Sequence, residues 1–540
     1  LYNKVPYFKK VNQKLQGSGG AKPGGKPSTN SKETPKEGKD GKTSSDSTKK
    51  EKKEPLFTVG ENIARVVMSV KTLSLTYSTT DGIMMPGFGQ TNSVLGMDNQ
   101  WNSPGLGFVA GKQNKDLFGR ESDWGNGYND YAMYAADQGW LVKNQFLNAQ
   151  YTANHTKNLS ARTSLEPLTG LRIELNADKN QTENYNTFFR WFDTLNGAPF
   201  FDYTAQNPMT QGMLSMSMNT WKTAFIGNGE NNSSPVFSNF RDIRSEASQL
   251  FASGNPNSSL LSSSETGYAG GYGSTQQDVM ITSFIAAYSG KKVDQIGSNP
   301  FALRPAPNWR VTFDPMAKSK IKFLKKWFKS FSISHGYRST MTISNYTTNL
   351  LGTRDTQGNM DATDISGNFI NPRQISMITI SEQFSPLINI DMTWNLKNRG
   401  KPGGLITKVE LKRDRNLSLS LVNNQVTEVR GAEFVIGSGY RFNNLKLPFN
   451  IGGKPTESDL NCRIDLSVRN NVTYTRKVVE NQNQATAGQR IVSIKSSADY
   501  AISSKLTIRF FYDKVLNRPV ISTSFPTSNT NSGIAIRFTL

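Results

Sequence analysis

The chain has 540 residues, a formal net charge of +21, one cysteine and two histidines. The single cysteine, Cys462, excludes a disulfide framework. The small number of cysteines and histidines argues against a metal centre. We therefore expect no cofactor. No apolar run approaches the ~20 residues of a membrane helix. The mean hydropathy of -0.53 is typical of a soluble protein, but a membrane β-barrel also reaches such a value because its lumen face is polar.

The N-terminal part divides into two segments that cannot form a core. Residues 1–16 are predicted to be an N-terminal anchored extension, and residues 17–55 a disordered, lysine-rich linker. Between Ala21 and Leu56 there is no apolar residue, so this stretch cannot bury a hydrophobic surface. Its charge could attract lipopolysaccharide phosphates or nucleic acid. Because it lacks aromatic side chains for base stacking, we expect a solvated linker and no nucleic-acid partner.

The first predicted strand covers 65–77, and a switch of apolar parity near Lys71 predicts a β-bulge. Residues 81–144 are rich in glycine and aromatic residues, which favours an ordered, cap-like loop; a carbohydrate-binding surface is the alternative. We expect its aromatic side chains to contact partners. These candidate residues are Phe88, Trp101, Phe108, Trp124, Tyr128 and Trp140.

Alternating apolar and polar residues then predict a strand over 147–165 and, after a tight turn at 167–170, another over 171–177. The longer segments 81–144 and 181–212 are predicted to be loops at the opposite end of these strands. A short turn at one end and long loops at the other are typical of outer-membrane barrels.

The middle of the chain has helical periodicity. Ser234 followed by Pro235 predicts a helix start, and apolar spacing of three and four residues continues to Phe251, before Gly254. A second helix is predicted after Thr275, ending at Gly290. We therefore assign 227–305 as a helical insertion at a rim or in a lumen. The direction of the flanking strands then requires either a missed strand or a segment that returns to the end it left.

Strands resume at 307 and continue to the C-terminus, where a final strand places Ile534, Ile536, Phe538 and Leu540 on one face and Arg537 and Thr539 on the other. A β-sandwich and an outer-membrane barrel both use such alternation. The alternation over 460–478 outruns ordinary globular strands of about 5–6 residues. We therefore predict an all-β fold, a transmembrane antiparallel β-barrel over 56–540, with roughly sixteen strands and a C-terminal insertion strand facing lipid.

Several motifs resemble, in order, the C-terminal part of the SprA/Sov family, the outer-membrane translocon of the Bacteroidota type IX secretion system. The similarity covers the chain except about 17–55, and the lysine-rich insert departs from the family pattern. The motifs are Leu1-Tyr2-Asn3-Lys4-Val5-Pro6, Met85-Pro86-Gly87-Phe88, Pro307-Asn308-Trp309-Arg310-Val311-Thr312, Ser334-His335-Gly336-Tyr337-Arg338-Ser339-Thr340, Gln383-Phe384-Ser385-Pro386-Leu387-Ile388, Arg415-Asn416-Leu417-Ser418-Leu419-Ser420 and Asn529-Thr530-Asn531 with Arg537-Phe538-Thr539-Leu540.

The resemblance implies a protein-conducting channel in the bacterial outer membrane that moves folded cargo proteins and supports gliding motility. It also implies that this chain forms part of a very large barrel. The implied partners are the N-terminal portion of the same translocon protein, a PorV-type lateral-gate barrel, a periplasmic plug protein, secreted cargo and outer-membrane lipid. A self-contained porin or nutrient transporter of about sixteen strands is the alternative.

An enzyme is not expected. His335 lies near Ser332, Ser334 and Ser339, which raises the possibility of a phospholipase nucleophile, but it falls on the apolar parity of its strand, where packing is the simpler role. An acidic loop at 355–364 lacks the ligand spacing of a calcium-binding loop. We therefore predict no catalytic, metal-binding or cofactor-binding residues.

Overall fold

The computed structural model describes residue 6 and residues 68–540, except 115–129, 196, 264, 318–321, 399–400, 452–453, 503–505, 522–523 and 539–540. The predicted extension 1–16 and linker 17–55 therefore lie outside the described residues, apart from Pro6. None of the helices in the described part is long and apolar enough to cross a membrane.

One antiparallel sheet dominates the structure. Its strands pair in the order β1-β2-β3-β4-β6-β8-β9-β10-β11-β12-β13-β14. Within the described residues β1 pairs only with β2, and β14 only with β13, so the path stays open. The strands are β1 Val70–Met84, β2 Tyr151–Leu168, β3 Leu171–Leu195, β4 Ala198–Ser217, β5 Asn308–Phe313, β6 Phe328–Thr348, β7 Arg373–Gln374, β8 Met377–Asn398, β9 Lys401–Ser420, β10 Gln425–Ile451, β11 Lys454–Lys477, β12 Gln482–Ala501, β13 Leu506–Pro519 and β14 Thr527–Phe538.

The helices are short and lie in the connections. Those between β4 and β5 belong to the segment 218–307, which is wider than the predicted 227–305 because a helix at Trp221–Ala224 precedes residue 227; we call this segment the helical insertion. The helices are α1 Leu106–Val109, α2 Tyr131–Asp137, α3 Trp221–Ala224, α4 Pro235–Asp242, α5 Arg244–Ser253, α6 Gln277–Ser289, α7 Val293–Ile296 and α8 Lys322–Trp327.

The helical insertion interrupts a single strand. β4 pairs with β3 and β6 as far as Ser217, and β5 then pairs with the same two neighbours from Asn308 onward. The backbone N–H of Ala306 donates to the Ser217 carbonyl at 2.9 Å, so the chain returns to the point it left. The conflict in strand direction is thereby resolved, because the insertion begins and ends at one height of the sheet.

The connections differ between the two ends of the sheet. The connections 85–150 and 349–376 lie at one end, which we call the long-loop end, together with the shorter connections from β9 to β10, β11 to β12 and β13 to β14. The turn 169–170 lies at the other end, the short-turn end, where β8 also meets β9, β10 meets β11, and α8 lies between β5 and β6. The helical insertion leaves the sheet between these two ends. β1 begins at the short-turn end and β14 ends there.

Several sequence-based boundaries need correction. The predicted loop 181–212 lies within β3 and β4, because its polar residues on both faces hid the alternation. The separate segments 405–411 and 417–421 belong mainly to one strand, β9, since Arg413 and Arg415 interrupt the apolar parity between them. The described residues consequently hold fewer strands than the predicted sixteen. The β-bulge near Lys71 is confirmed by a register shift between Val70 and Thr72.

The predicted helices are present with altered boundaries. Ser234 caps α4 through its side-chain oxygen, as predicted, but the helix ends at Asp242 and α5 begins at Arg244, because Ile243 separates the two. The second predicted helix is α6, whose N-cap is Gln276 rather than Thr275. Gly290, in the left-handed conformation, ends it as predicted.

The insertion forms a hydrophobic core with the sheet. α6 is buried along most of its length, and Phe240 of α4 contacts Phe284 of α6 with ring centroids 5.9 Å apart. These helices cover apolar residues at the long-loop ends of the strands. The covered strand residues include Leu214, Met216, Met341, Ile343, Ile378, Ile380, Leu417, Leu419 and Val426.

A matched pair of glycines tests this packing. A Cβ on Gly212 of β4 would collide with the Tyr346 ring and the Thr182 carbonyl, whereas one on Gly82 of β1 meets nothing within 4 Å. We expect Gly212→Ala to destabilise the β4–β6 region by about 1–3 kcal/mol, as overpacking does, and Gly82→Ala to have little effect. Hydrogen exchange of the β4 amides measures the difference, and equal protection in the two variants would contradict this packing.

Candidate functional site

Strand register divides the sheet into two faces. One row of paired residues runs across eight strands and is entirely apolar, and its members are Leu171, Phe313, Ile333, Ile390, Val409, Ile436, Leu466 and Ile494. Directly opposite residues in a sheet point to the same side. We call this side the apolar face. Its surface zone from Leu73, Leu75 and Tyr77 on β1 to Ile534, Ile536 and Phe538 on β14 is the apolar band.

The apolar band crosses the strands obliquely. On β1 the band ends at Tyr77, and the register row through Tyr77 reaches Leu417 on β9. On β9, however, the band ends at Leu411, six residues nearer the short-turn end. Leu411 shares a row with Ser528 of β14, where the band ends six residues later, at Ile534. With ~3.3 Å per residue and ~4.8 Å between strands, this drop corresponds to a strand tilt of about 37°.

Aromatic residues border the band on both sides. At the long-loop edge, Trp309, Tyr337 and Phe384 surround Trp221 of α3, with Trp309 and Tyr337 centroids 4.3 Å apart. At the short-turn edge, Phe328 packs on Trp394 at 4.6 Å. On β10, the rings of Tyr440 and Phe442 are also 4.6 Å apart.

The opposite face, which we call the polar face, carries paired charges. Lys412 lies between Glu410 and Glu433, at 3.4 and 3.5 Å. Arg469 pairs with Asp414 at 3.4 Å. Further pairs on this face are Lys408–Glu410, Arg463–Asp465, Arg441–Asp459 and Arg509–Asp499. The polar face therefore presents a hydrated surface with near-balanced charge.

Buried ion pairs join the helical insertion to the apolar face above the band. Arg415 and Glu382, 3% and 1% exposed, lie 3.0 Å apart. Arg415 Nη1 also donates to the Thr223 carbonyl at 3.0 Å, and Thr220 Oγ1 donates to Glu382 at 2.5 Å. Each charge is thus shared between a strand and α3 or its N-cap, so these contacts fix α3 on the wall.

A second ionic cluster continues this arrangement on the next strands. Arg476 and Glu428 are both 0% exposed and lie 2.9 Å apart. Arg476 Nη1 donates to the Asn232 carbonyl of the insertion at 2.6 Å, and Arg430 Nη1 donates to the Ile226 carbonyl at 2.8 Å. Sequence reasoning missed these residues. Their signal was the presence of charges on an otherwise apolar parity.

Part of the candidate cap loop forms a cluster. Phe108 stacks on Tyr131 with centroids 4.5 Å apart, and Phe88 meets Trp140 edge-on at 6.5 Å. Burial raises the pKa of the Tyr131 hydroxyl. Trp101 is separate and half exposed. Trp124 and Tyr128 lie outside the described residues.

The C-terminal strand exposes its apolar residues. Ile534, Ile536 and Phe538 are 64%, 69% and 63% exposed and pair with apolar-face residues of β13. Leu540 and Thr539 lie outside the described residues. This strand therefore leaves an apolar face and a free strand edge within the described part of the sheet.

The alternative chemical sites have structural roles. His335 Nδ1 lies 2.6 Å from the Leu387 carbonyl, beside the Trp221 ring. Asp355 holds a turn: the backbone N–H of Asn359 and the Asn257 amide keep its pKa at about 2. Among the described residues no group of three or more His, Cys, Asp or Glu side chains could hold a metal ion.

Comparison with protein-family models and with curated proteins finds no match to this chain.

Replacing Arg415 tests the joint between insertion and wall. Thr223 of α3 donates to the Tyr288 carbonyl of α6 at 2.6 Å, so loosening of α3 extends to α6. We expect Arg415→Met to loosen both helices by about 3–5 kcal/mol, because it leaves Glu382 buried without its cation, and Glu382→Gln in the same chain to recover part of this loss. The exposed pair of Arg463 should matter by less than about 1 kcal/mol, so Arg463→Met is the control. Hydrogen exchange in Gln277–Ser289 reports the loosening; unchanged protection after Arg415→Met would contradict it.

Proposed function

We propose that this chain forms part of the wall of a β-barrel in the bacterial outer membrane. The oblique apolar band carries the proposal: its tilt of about 37° falls within the ~35–45° of outer-membrane barrel strands. A soluble sandwich has no reason to expose a continuous apolar band bordered by aromatic residues. On β10 the band covers Phe434 to Phe442, close to the ~9–11 residues of a membrane-spanning strand.

The two ends of the sheet suggest an orientation. Outer-membrane barrels have short periplasmic turns and long extracellular loops, so the long-loop end faces the cell exterior in our proposal. The polar face lines the lumen. The helical insertion then lies on the outer side of the wall above the membrane, not in the lumen, because it packs on the apolar face.

The open path supports a barrel completed by another polypeptide. In lipid, each unpaired backbone group costs several kcal/mol, so β1 and β14 need partner strands. The resemblance to the SprA/Sov family suggests the N-terminal portion of the same translocon protein as that partner.

Within this assembly, we assign the chain to the conduction of folded cargo proteins by type IX secretion. A wide lumen lined by paired charges offers few apolar patches to which a folded cargo would adhere. Because the insertion lies outside, occlusion of the pore falls to other parts, as the family's periplasmic plug and PorV-type barrel suggest. Of the two positions predicted for the insertion, a rim or a lumen, our proposal keeps the rim.

Cross-linking distinguishes a barrel segment from a self-contained porin. Leu75 and Ile536 lie at the same height of the band, so closure of β1 onto β14 would bring them within about one strand spacing of ~4.8 Å. In a Cys462→Ser background, we expect Leu75→Cys with Ile536→Cys to give no disulfide within the chain. An intrachain disulfide, detected by its gel mobility under oxidising conditions, would favour the porin.

A charge on β14 tests lipid exposure and export together. Phe538→Asp places a carboxylate in the band and should cost on the order of 1–4 kcal/mol, with loss of the protein from the outer membrane and of cargo from the medium. Ala535→Asp adds the same charge to the polar face and should be tolerated. Normal outer-membrane levels of Phe538→Asp would overturn the orientation of β14; intact cargo export without the protein would overturn the translocon assignment.

A further inference from the structure

The apolar face of the last four strands carries an uncompensated positive charge above the band. Reading β11 to β14 along this face gives four basic residues and no acidic one. The four are Arg476, Arg490, Lys514 and Arg518. Arg476 is neutralised by Glu428. The side chains of the other three have no hydrogen bond or ion pair within the described part of the chain, and we call them the basic patch.

Two of these residues face each other. Arg490 of β12 is directly opposite Arg518 of β13, and both are exposed. Like charges directly opposite in a sheet are destabilising. The other opposed arginines of this face, Arg415 and Arg430, each have a glutamate partner. The Arg490–Arg518 pair lacks such a partner, so an external anion would relieve its repulsion.

The height of the patch indicates where that anion comes from. The band on β13 ends at Tyr512, and Lys514 and Arg518 follow two and six residues later on the same face. With the tilt above, they lie about 5 Å and about 16 Å beyond the apolar band. The headgroup layer extends ~5–7 Å beyond the hydrocarbon core, so Lys514 lies within it, and Arg518, with Arg490 opposite, lies above it. Long basic side chains can extend along a wall toward that layer.

The polar face of the same strands gives the contrast. There Arg463, Arg469 and Arg509 are paired with Asp465, Asp414 and Asp499. Lys495 and Arg537 also lie on the polar face, without an ion pair in the described part of the chain. The difference between the faces is in the acids: Asp465, Asp499 and Asp513 all lie on the polar face, so the basic residues of the outer side have no acid beside them there.

We propose that Arg490, Arg518 and Lys514 bind the phosphate groups of a phosphorylated glycolipid in the outer leaflet, such as lipid A. The inference rests on the proposed membrane orientation. Paired guanidinium groups suit phosphate because each can donate two parallel hydrogen bonds to its oxygens. The bound lipid ties the last strands to the outer leaflet, close to the free edge of β14.

The test uses the complete complex purified from the outer membrane and placed in phosphatidylcholine nanodiscs that contain lipid A, either bisphosphorylated or stripped of both phosphates. Lipid retained by the intact complex is measured by mass spectrometry. We compare the wild type, Arg490→Gln with Arg518→Gln, and the control Lys495→Gln, which removes a charge from the polar face of β12. The amount of each protein recovered from the outer membrane is measured separately, because it tests the proposed membrane location and not the binding of lipid. We expect it to be equal for all three.

We expect the double variant to retain bisphosphorylated lipid A about tenfold more weakly, the control to match the wild type, and the stripped lipid to show no difference. Equal retention by all three proteins would overturn the proposal. An equal loss of both lipids would also overturn it, since phosphate would then not be the group recognised. Displacement by a matching concentration of inorganic phosphate would overturn the assignment to a lipid.

Discussion

The strand register that keeps apolar side chains on one face is the constraint on which the rest of the structure depends. From Gln425 to Arg441, β10 pairs with β9 without a slip, so each side chain keeps its face over this part of the strand. A one-residue slip would move every apolar side chain to the opposite face. The same face consequently serves two environments, the exposed apolar band at one height and the helical insertion at another.

That continuity explains why charges occur on an apolar parity. Above the band, the apolar helices of the insertion bury wall residues such as Leu417 and Leu419. The buried pairs at Arg415 and Arg476 contribute little net stability, since removing charges from water is costly. Their value is geometric, because each cation also holds a carbonyl oxygen of the insertion and so fixes its position on the wall.

The distribution of charge differs in kind between the two faces. On the polar face, acids and bases alternate within reach of one another, which keeps that surface hydrated and close to neutral. On the apolar face, Arg415, Arg430 and Arg476 are paired with glutamates beneath the insertion, whereas the basic patch is unpaired beyond the band within the described part of the chain. In the proposed orientation these correspond to lumen, insertion contact and lipid headgroups, so one alternating sequence encodes three environments.

The sequence by itself determined the strands of the apolar band, the β-bulge near Lys71 and the helix cap at Ser234, because these depend on local periodicity and local hydrogen bonds. Only the tertiary structure decided that 181–212 is strand, that β4 and β5 are one interrupted strand, and that the insertion covers the apolar face. Those features depend on pairing between residues far apart in the chain. Where both faces of a strand are polar, local alternation does not predict the strand. Where a buried cation pairs with a glutamate far away in the chain, no local pattern predicts which residue is its partner.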